Sequence, residues 1–430
     1  MIDMVGIGPF ITIPFIIGAM NGPQCIIAWI LGALLSFSDG FVWAELGAKY
    51  PEAGGSYVFL QKIYKGKGGK LFSFLYIWQT TIQAPLVIAS GAIGFSQYLG
   101  YLVTLNAWQH KAVSGLLVLA LIFLLYRKIT TIGKISVLMW MVVAGTILFL
   151  IFSGLTHFDS KLAFTYPKDA FDLTPAFFLG LGQASTKTIY SFLGYYNVCH
   201  LGGEIENPQK NIPRSIFISI AGIAVLYLLM QIVVLGVLPW QDAKNSEFIV
   251  SIFFEKLYGH TIAQVATGFI LFIALSSLFS VMLGYSRVPY AAAKDGNYFS
   301  IFSKLHPTKH FPHYSLLILG SVAFIFSLLF KMKEIITAII VVRIIIQFLG
   351  QCVGILFWHR RNKSELPYKM PIYPLFPIIG IIVWVYIFFS ADLIYMIGAL
   401  TVIISGILLY YFFLEKRGRT INDLNASKHE

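Results

Sequence analysis

The chain has 430 residues, of which 57% are hydrophobic and only 12% charged, with a mean hydropathy of +0.77 and a net charge of +12. That composition excludes a soluble domain, because a water-facing surface cannot be built from so few charges. The basic balance suggests nucleic acid, but its placement excludes that reading. Of the 31 Lys and Arg, 22 fall in alternate connections (49–70, 127–134, 210–214, 287–309, 360–369 and 416–428), 7 in the others, and Lys187 and Arg343 within apolar runs. This asymmetry is the positive-inside pattern of a multi-pass membrane protein with both termini cytoplasmic.

A helix needs ~20 apolar residues to cross ~30 Å of hydrocarbon. The sequence predicts twelve such segments, near 5–21, 25–48, 71–103, 111–127, 133–154, 175–203, 214–238, 261–291, 313–330, 334–358, 374–391 and 393–414. The third and eighth exceed one bilayer thickness, so tilt or an extension into water is expected. Residues 242–259 predict a short helix in a loop, with Glu247, Glu255 and Lys256 among apolar residues. No basic residue precedes the first run, so a signal peptide is not expected. The inner part of that run would be a stub of ~12 Å, as in a chain with a miscalled or trimmed start. Cys25, Cys199 and Cys352 have no metal-ligand spacing and read as packing residues.

Two runs are interrupted. Gly6-Ile7-Gly8-Pro9 breaks the first, where Pro9 lacks the amide that a continuous helix needs. Tyr190-Ser191-Phe192-Leu193-Gly194-Tyr195-Tyr196-Asn197 breaks the sixth. Lipid tolerates irregular backbone only where it is buried in protein or lines a watery cavity. Paired breaks near the midplane are how many secondary transporters build a substrate site. A Gly packing face between helices is the competing reading.

These residues are similar to those of the amino acid/polyamine/organocation (APC) transporter superfamily. The resemblance rests on five motifs in order. They are Gly6-Ile7-Gly8-Pro9-Phe10; Ala44-Glu45-Leu46-Gly47 with Tyr50-Pro51-Glu52-Ala53-Gly54-Gly55-Ser56-Tyr57; Trp78; Gly194 through Glu204-Ile205-Glu206-Asn207-Pro208-Gln209-Lys210-Asn211-Ile212-Pro213-Arg214; and Ser286-Arg287-Val288 through Ala293-Lys294-Asp295-Gly296. It implies an all-α membrane protein of twelve transmembrane helices. Residues 1–154 and 172–358 would be 5+5 inverted repeats with helices 1 and 6 discontinuous. Helices 11 and 12, at 374–414, complete one domain over 1–414, followed by a cytoplasmic tail, 415–430. It also implies a bacterial-type amino acid permease of the plasma membrane, binding substrate where helices 1 and 6 unwind.

An amino acid presents a carboxylate and an ammonium. Amides of the Gly6–Gly8 turn, with Ile7 between, suit the carboxylate. Carbonyls freed near Tyr190, Ser191 and Leu193 suit the ammonium. Ile7 and Pro9 depart from the family's usual Gly-Ser-Gly, removing a hydroxyl and an amide. By the resemblance Tyr190 is an outer lid, Gly194 keeps the unwound region open, and Tyr196 shapes the side-chain pocket. Gln83, beside Pro85, is a pocket wall or an interhelical hydrogen-bonding group.

Ionisable groups at membrane depth are functional candidates because burying them is costly. Asp39, Lys187 and Arg343 are such groups, and Arg343 starts a stripe with Gln347 and Gln351 at i+4 steps. One reading pairs Asp39 with a buried cation; the other reserves the buried positive charge for an anionic group on the substrate. Glu45 and Arg287 mark helix ends and are expected at a cytoplasmic gate. Where proton-coupled relatives place a Lys in helix 5, this chain has Trp140, and Lys134 lies too near the helix end. Ser276 and Ser277 offer ligands for sodium, or simply bond back to their own helix. Sodium, a proton, and exchange remain open, with Asp39 and Lys187 as the titrating candidates.

A secondary transporter of amino acids or related amines and acids therefore leads. A polyamine or organocation transporter of the same fold and a transporter-like nutrient sensor are the alternatives. No catalytic constellation is evident, a channel would favour rings of like residues, and no GxxxxGK[ST] sequence points to ATP. The expected partners are a small-molecule substrate and the lipid bilayer, with no nucleic acid, no cofactor beyond the coupling ion, and a monomeric or loosely oligomeric state.

Overall fold

The computed structural model describes residue 4 and residues 6–52, 54–126, 132–361 and 366–415, with the side chains of 132–139, 204 and 413–415 outside the described set. The side chains of Lys134 and Glu204 and the tail beyond 415 thus lie outside it. Every regular element among the described residues is helical. In chain order they are α1 (Gly8–Met20), α2 (Ile26–Lys49), α3 (Ser56–Tyr64), α4 (Gly66–Leu102), α5 (Ala107–Leu125), α6 (Ile132–Thr156), α7 (Ser160–Ala163) and α8 (Pro175–Phe192). There follow α9 (Pro208–Val237), α10 (Trp240–Ala243), α11 (Ile249–Tyr258), α12 (His260–Tyr285) and α13 (Val288–Lys294). Last come α14 (His313–Leu329), α15 (Met332–Arg343), α16 (Gly350–Arg361), α17 (Leu375–Phe389) and α18 (Leu393–Leu409). Among the described residues, seven helical stretches are long and apolar enough to cross a membrane. Shorter apolar helices, α1, α14, α17 and Trp140–Thr156, accompany them.

Local chemistry sets several of the ends. Asn106 and Gln109 form a reciprocal cap at the start of α5, at 2.8 and 2.9 Å. Thr174 accepts from Phe177 N at 3.3 Å, with Pro175 in the first turn of α8. Pro9 likewise sits in the first turn of α1. There its missing amide removes no intrahelical hydrogen bond, and the regular helix starts only at Gly8.

The long third run is a single 37-residue helix, α4, passing through Pro85. The eighth run is divided at Ser286-Arg287 between α12 and α13, and the tenth by a π-helical stretch, Ile344–Leu349. The short helix expected within 242–259 is α11, whose Ile249, Val250, Phe253 and Phe254 are buried.

Burial separates centre from rim. Most of the apolar window of Met332–Arg361 is buried and little of that of Leu393–Phe412 is, so α15–α16 belong to the core and α18 offers its apolar surface to lipid. Small residues allow the close crossings. Gly32 of α2 faces Thr188 and Phe192 of α8, and Gly40 faces Ile216 and Ile220 of α9. Trp78 docks α18 onto α4 by donating to Val402 O at 3.0 Å. The three cysteines are buried, reduced packing residues.

Candidate functional site

The start of α1 meets the end of α8 inside the protein. A Cβ placed on Gly8 would lie 3.3 Å from Tyr190 Cε1 and 3.9 Å from Ser191 Cα. The two segments are tied by a 2.9 Å hydrogen bond between the Thr12 and Ser191 hydroxyls. Both ends carry backbone groups without helical partners. The first-turn amides of α1 have none by geometry, and no side chain caps them.

Beyond Phe192 the chain continues in turns and short 3-10 stretches to Glu204. The carbonyls of this segment are only partly free. Leu193 N donates to Ile189 O at 3.1 Å and to Tyr190 O at 3.4 Å, and Asn197 N to Gly194 O at 3.0 Å. Among the described residues, the carbonyls of Ser191, Phe192 and Leu193 accept no backbone hydrogen bond, so the free acceptors start at Ser191 rather than Tyr190. Gly194 has φ +114°, a conformation that strains any residue with a Cβ.

Tyr190 is half-buried and its hydroxyl shares a 2.9 Å hydrogen bond with Ser90 of α4. Ile7 is buried, with its Cδ1 turned toward Gly94 of α4; its side chain belongs to packing, and only its backbone faces the helix start. On α4, Gln83 is buried with its amide nitrogen unpartnered, and neither polar atom of Gln79, one turn earlier, has a partner. Two unsatisfied glutamines one turn apart are costly in a dry interior.

Arg343, 3% exposed, closes α15 where the π-helical turn begins. Its Nε donates to Gln347 Oε1 at 2.8 Å and its Nη2 to the Tyr196 hydroxyl. The guanidinium lies 5.2 Å over the Tyr196 ring and 5.4 Å over that of Phe348. None of these partners is a carboxylate. Gln351 continues the stripe, donating to Gln347 O at 2.7 Å and to Ser56 Oγ at 3.0 Å.

Among the described residues Asp39 forms no ion pair, which goes against the reading that pairs it with a buried cation. Its carboxylate accepts from Trp43 Nε1 at 2.8 Å, from the Tyr195 hydroxyl, and from Cys352 Sγ at 3.6 Å. Adjacent tyrosines thus divide the two charges, Tyr195 serving Asp39 and Tyr196 serving Arg343. Lys187, 2% exposed, lines a separate cavity with Lys333, Glu334 and Asp392.

Gly6 and Ser277 are brought together: a Cβ on Gly6 would sit 2.8 Å from Ser277 Oγ. Ser276 is buried on α12, and Trp140 is half-buried on α6. Glu45 and Arg287 are not joined. Glu45 binds His359 Nε2 and accepts from Met370 N at 2.7 Å, whereas Arg287 donates to Leu283 O at 2.8 Å. Next to Glu45, burial and then the carboxylate's charge push the Tyr368 phenol up to about 12, so it stays a neutral hydroxyl.

No sequence signal pointed to Thr12, Ser90, Cys352 or His359 in these roles. The first two are hydroxyls on apolar helices, and a hydroxyl's partner is invisible in a single sequence. The Amino acid permease family model matches residues 1–422. Similar proteins include the serine/threonine exchanger SteT of Bacillus subtilis, 25% identical over 88% of this chain and 85% of its own. The branched-chain amino acid permease BcaP of Lactococcus lactis is 23% identical over 96% and 93%. An aspartate-proton symporter of Bacillus subtilis is 26% identical over 73% and 63%. The chain belongs to the amino acid permease family of the APC superfamily, and is a multi-pass membrane protein of amino acid transport.

Proposed function

We propose that this permease is a secondary active transporter that carries amino acids across the plasma membrane by alternating access. The observation that carries the reading is the contact of Gly8 with Tyr190 and Ser191, where two helix ends meet in the interior. Amides at the start of α1 would hold the substrate carboxylate, and the carbonyls of Ser191 to Leu193 the ammonium. Tyr190 would cover the site and Gly194 keep it open, with Tyr196 and Gln83 shaping the side-chain pocket. The names of the relatives, a serine/threonine exchanger, a branched-chain permease and an aspartate-proton symporter, support an amino acid as cargo.

The same reading assigns twelve spans in one domain over 1–414, with 1–154 and 172–358 as inverted repeats, helices 1 and 6 discontinuous, and 374–414 appended. It places both termini in the cytoplasm, from the Lys and Arg distribution, and assigns the chain no catalysis and no cofactor. The protein would act as a monomer or loose homo-oligomer. Arg343 favours a substrate with a carboxylate over a polyamine, since a buried guanidinium with no carboxylate beside it repels a second cation. For coupling, Ser277 against Gly6 supports a sodium position. A proton is the second reading, supported by Asp39, a buried carboxylate held by neutral groups alone.

The test is uptake into proteoliposomes from a panel of amino acids, polyamines and carboxylates under imposed sodium or proton gradients. Accumulation of an amino acid down either gradient, or in exchange for internal amino acid, is expected. Binding without any flux would convert the reading to a nutrient sensor, and polyamine uptake would replace the substrate class.

A further inference from the structure

One cavity lies apart from the α1–α8 contact. It measures about 230 Å³ and is walled by α8, α15 and the start of α18, with Lys187, Lys333, Glu334, Thr337, Asp392 and Tyr395 among its lining. Lys187 is 2% exposed, and its ammonium forms no hydrogen bond or ion pair among the described residues. A buried ammonium without a partner is costly at membrane depth, and this one lines the cavity. Two carboxylates share the lining with it. Glu334 spends one oxygen on Lys331 N at 3.0 Å, while the Asp392 side chain caps nothing at the start of α18. Lys333 is exposed and its charge is solvated.

The charge pattern selects the ligand. A simple anion would satisfy Lys187 but meet the carboxylates; a simple amine would satisfy Asp392 but meet Lys187. A molecule carrying both charges close together satisfies both. The volume falls below the ~300–1,000 Å³ of sites for drug-sized ligands, which limits the occupant to a solute of few heavy atoms. Position gives it a role: Lys187 is three residues before Tyr190 on α8, about one helical turn away. Its carbonyl also accepts from Ser191 Oγ at 3.3 Å.

We propose that this cavity is a second binding site for a small zwitterionic α-amino acid, with Lys187 on the carboxylate and Asp392 on the ammonium, one turn before the Tyr190 lid. It would serve as a waiting station from which substrate passes the lid. The site does not depend on the α1–α8 contact, although its role as a waiting station rests on the proposed transport.

Equilibrium binding of radiolabelled L-alanine to the purified full chain tests it, alongside uptake by the same proteins. The Gly8→Leu variant, with its inner site filled, is expected to lose uptake yet bind about one L-alanine per chain. Adding Lys187→Met or Asp392→Asn should weaken that binding at least tenfold, with Lys187→Arg retaining most of it. Asp392 is exposed, so its substitution leaves the core intact. Acetate, chloride and methylamine, each with one charge, should compete poorly. If Gly8→Leu does not fold, Lys187→Met in the otherwise unchanged chain should reduce the bound L-alanine from two molecules to one. Binding indifferent to both Lys187→Met and Asp392→Asn, or no binding in a folded Gly8→Leu protein, overturns the proposal. Chloride competing as well as L-alanine also overturns it, by making the site one for anions. Absence of uptake by the unsubstituted protein, with Lys187-dependent binding intact, would remove the transport reading and leave this site standing.

Discussion

The Arg343 guanidinium donates to the hydroxyl of Tyr196 and lies 5.2 Å over the same ring. One tyrosine therefore holds the cation both by its edge and by its face. Tyr196 is itself stacked on Trp43, with ring centroids 4.6 Å apart. The neighbouring Tyr195 donates to Asp39, so a single dipeptide in the unwound segment carries the contacts of both buried charges. A movement of this segment would shift both together.

Arg343→Lys should lower apparent substrate affinity even though the charge is kept. An ammonium has neither the planar fork nor the ring-stacking face. The loss of a charge-assisted hydrogen bond of ~1.5–3 kcal/mol corresponds to about 10- to 150-fold in KM. Concentration-dependent uptake measures it, and an unchanged KM with a carboxylate-bearing substrate would take Arg343 out of recognition.

Leu at Gly6, Gly8 or Gly194 should abolish uptake while membrane insertion persists. The three fail for different reasons: Gly6 meets Ser277, Gly8 meets Tyr190, and Gly194 has φ +114°. Ala should separate them. At Gly8 a methyl group at 3.3 Å asks for a small shift, whereas at Gly194 backbone strain of about 1 kcal/mol or more remains. Full uptake by Gly8→Leu would remove α1 from the site.

Tyr190→Phe should be mild and Tyr190→Ala severe in substrate retention. The first deletes one hydrogen bond to Ser90, worth ~1 kcal/mol; the second removes the ring that covers Gly8. Exchange rates measured beside thermal stability distinguish the outcomes. A stability loss with unchanged kinetics would reduce Tyr190 to a packing residue.

The Ser276→Ala/Ser277→Ala protein should lose sodium stimulation while keeping some substrate binding. Uptake that ignores sodium and follows a proton gradient would sink the sodium position. Asp39→Asn, which keeps the size but not the charge, would then be the variant expected to lose proton-driven accumulation.

His359→Ala should lower thermal stability by about 1–3 kcal/mol, because it leaves the buried Glu45 with Met370 N as its remaining described partner. Denaturation of the purified protein checks it. If Glu45→Gln proves more damaging than His359→Ala, the Met370 contact rather than the histidine holds the end of α2.

The family and the helical character were legible in the chain itself. Apolar run length and the Lys and Arg asymmetry are one-dimensional signals, because lipid tests each segment against a thickness and a charge gradient. The motifs around Gly6–Gly8 and Gly194–Arg214 marked the irregular stretches because glycine and proline act on their own backbone. Pairings were not legible. Asp39, which one reading paired with a cation, rests on Trp43, Tyr195 and Cys352, and the His359 partner of Glu45 carried no signal in the sequence. The small residues that bring α2 against α8 and α9 decide such contacts by fixing which faces touch. A buried polar group must satisfy itself with whatever that packing places within about 3 Å, and only the tertiary structure knows what that is.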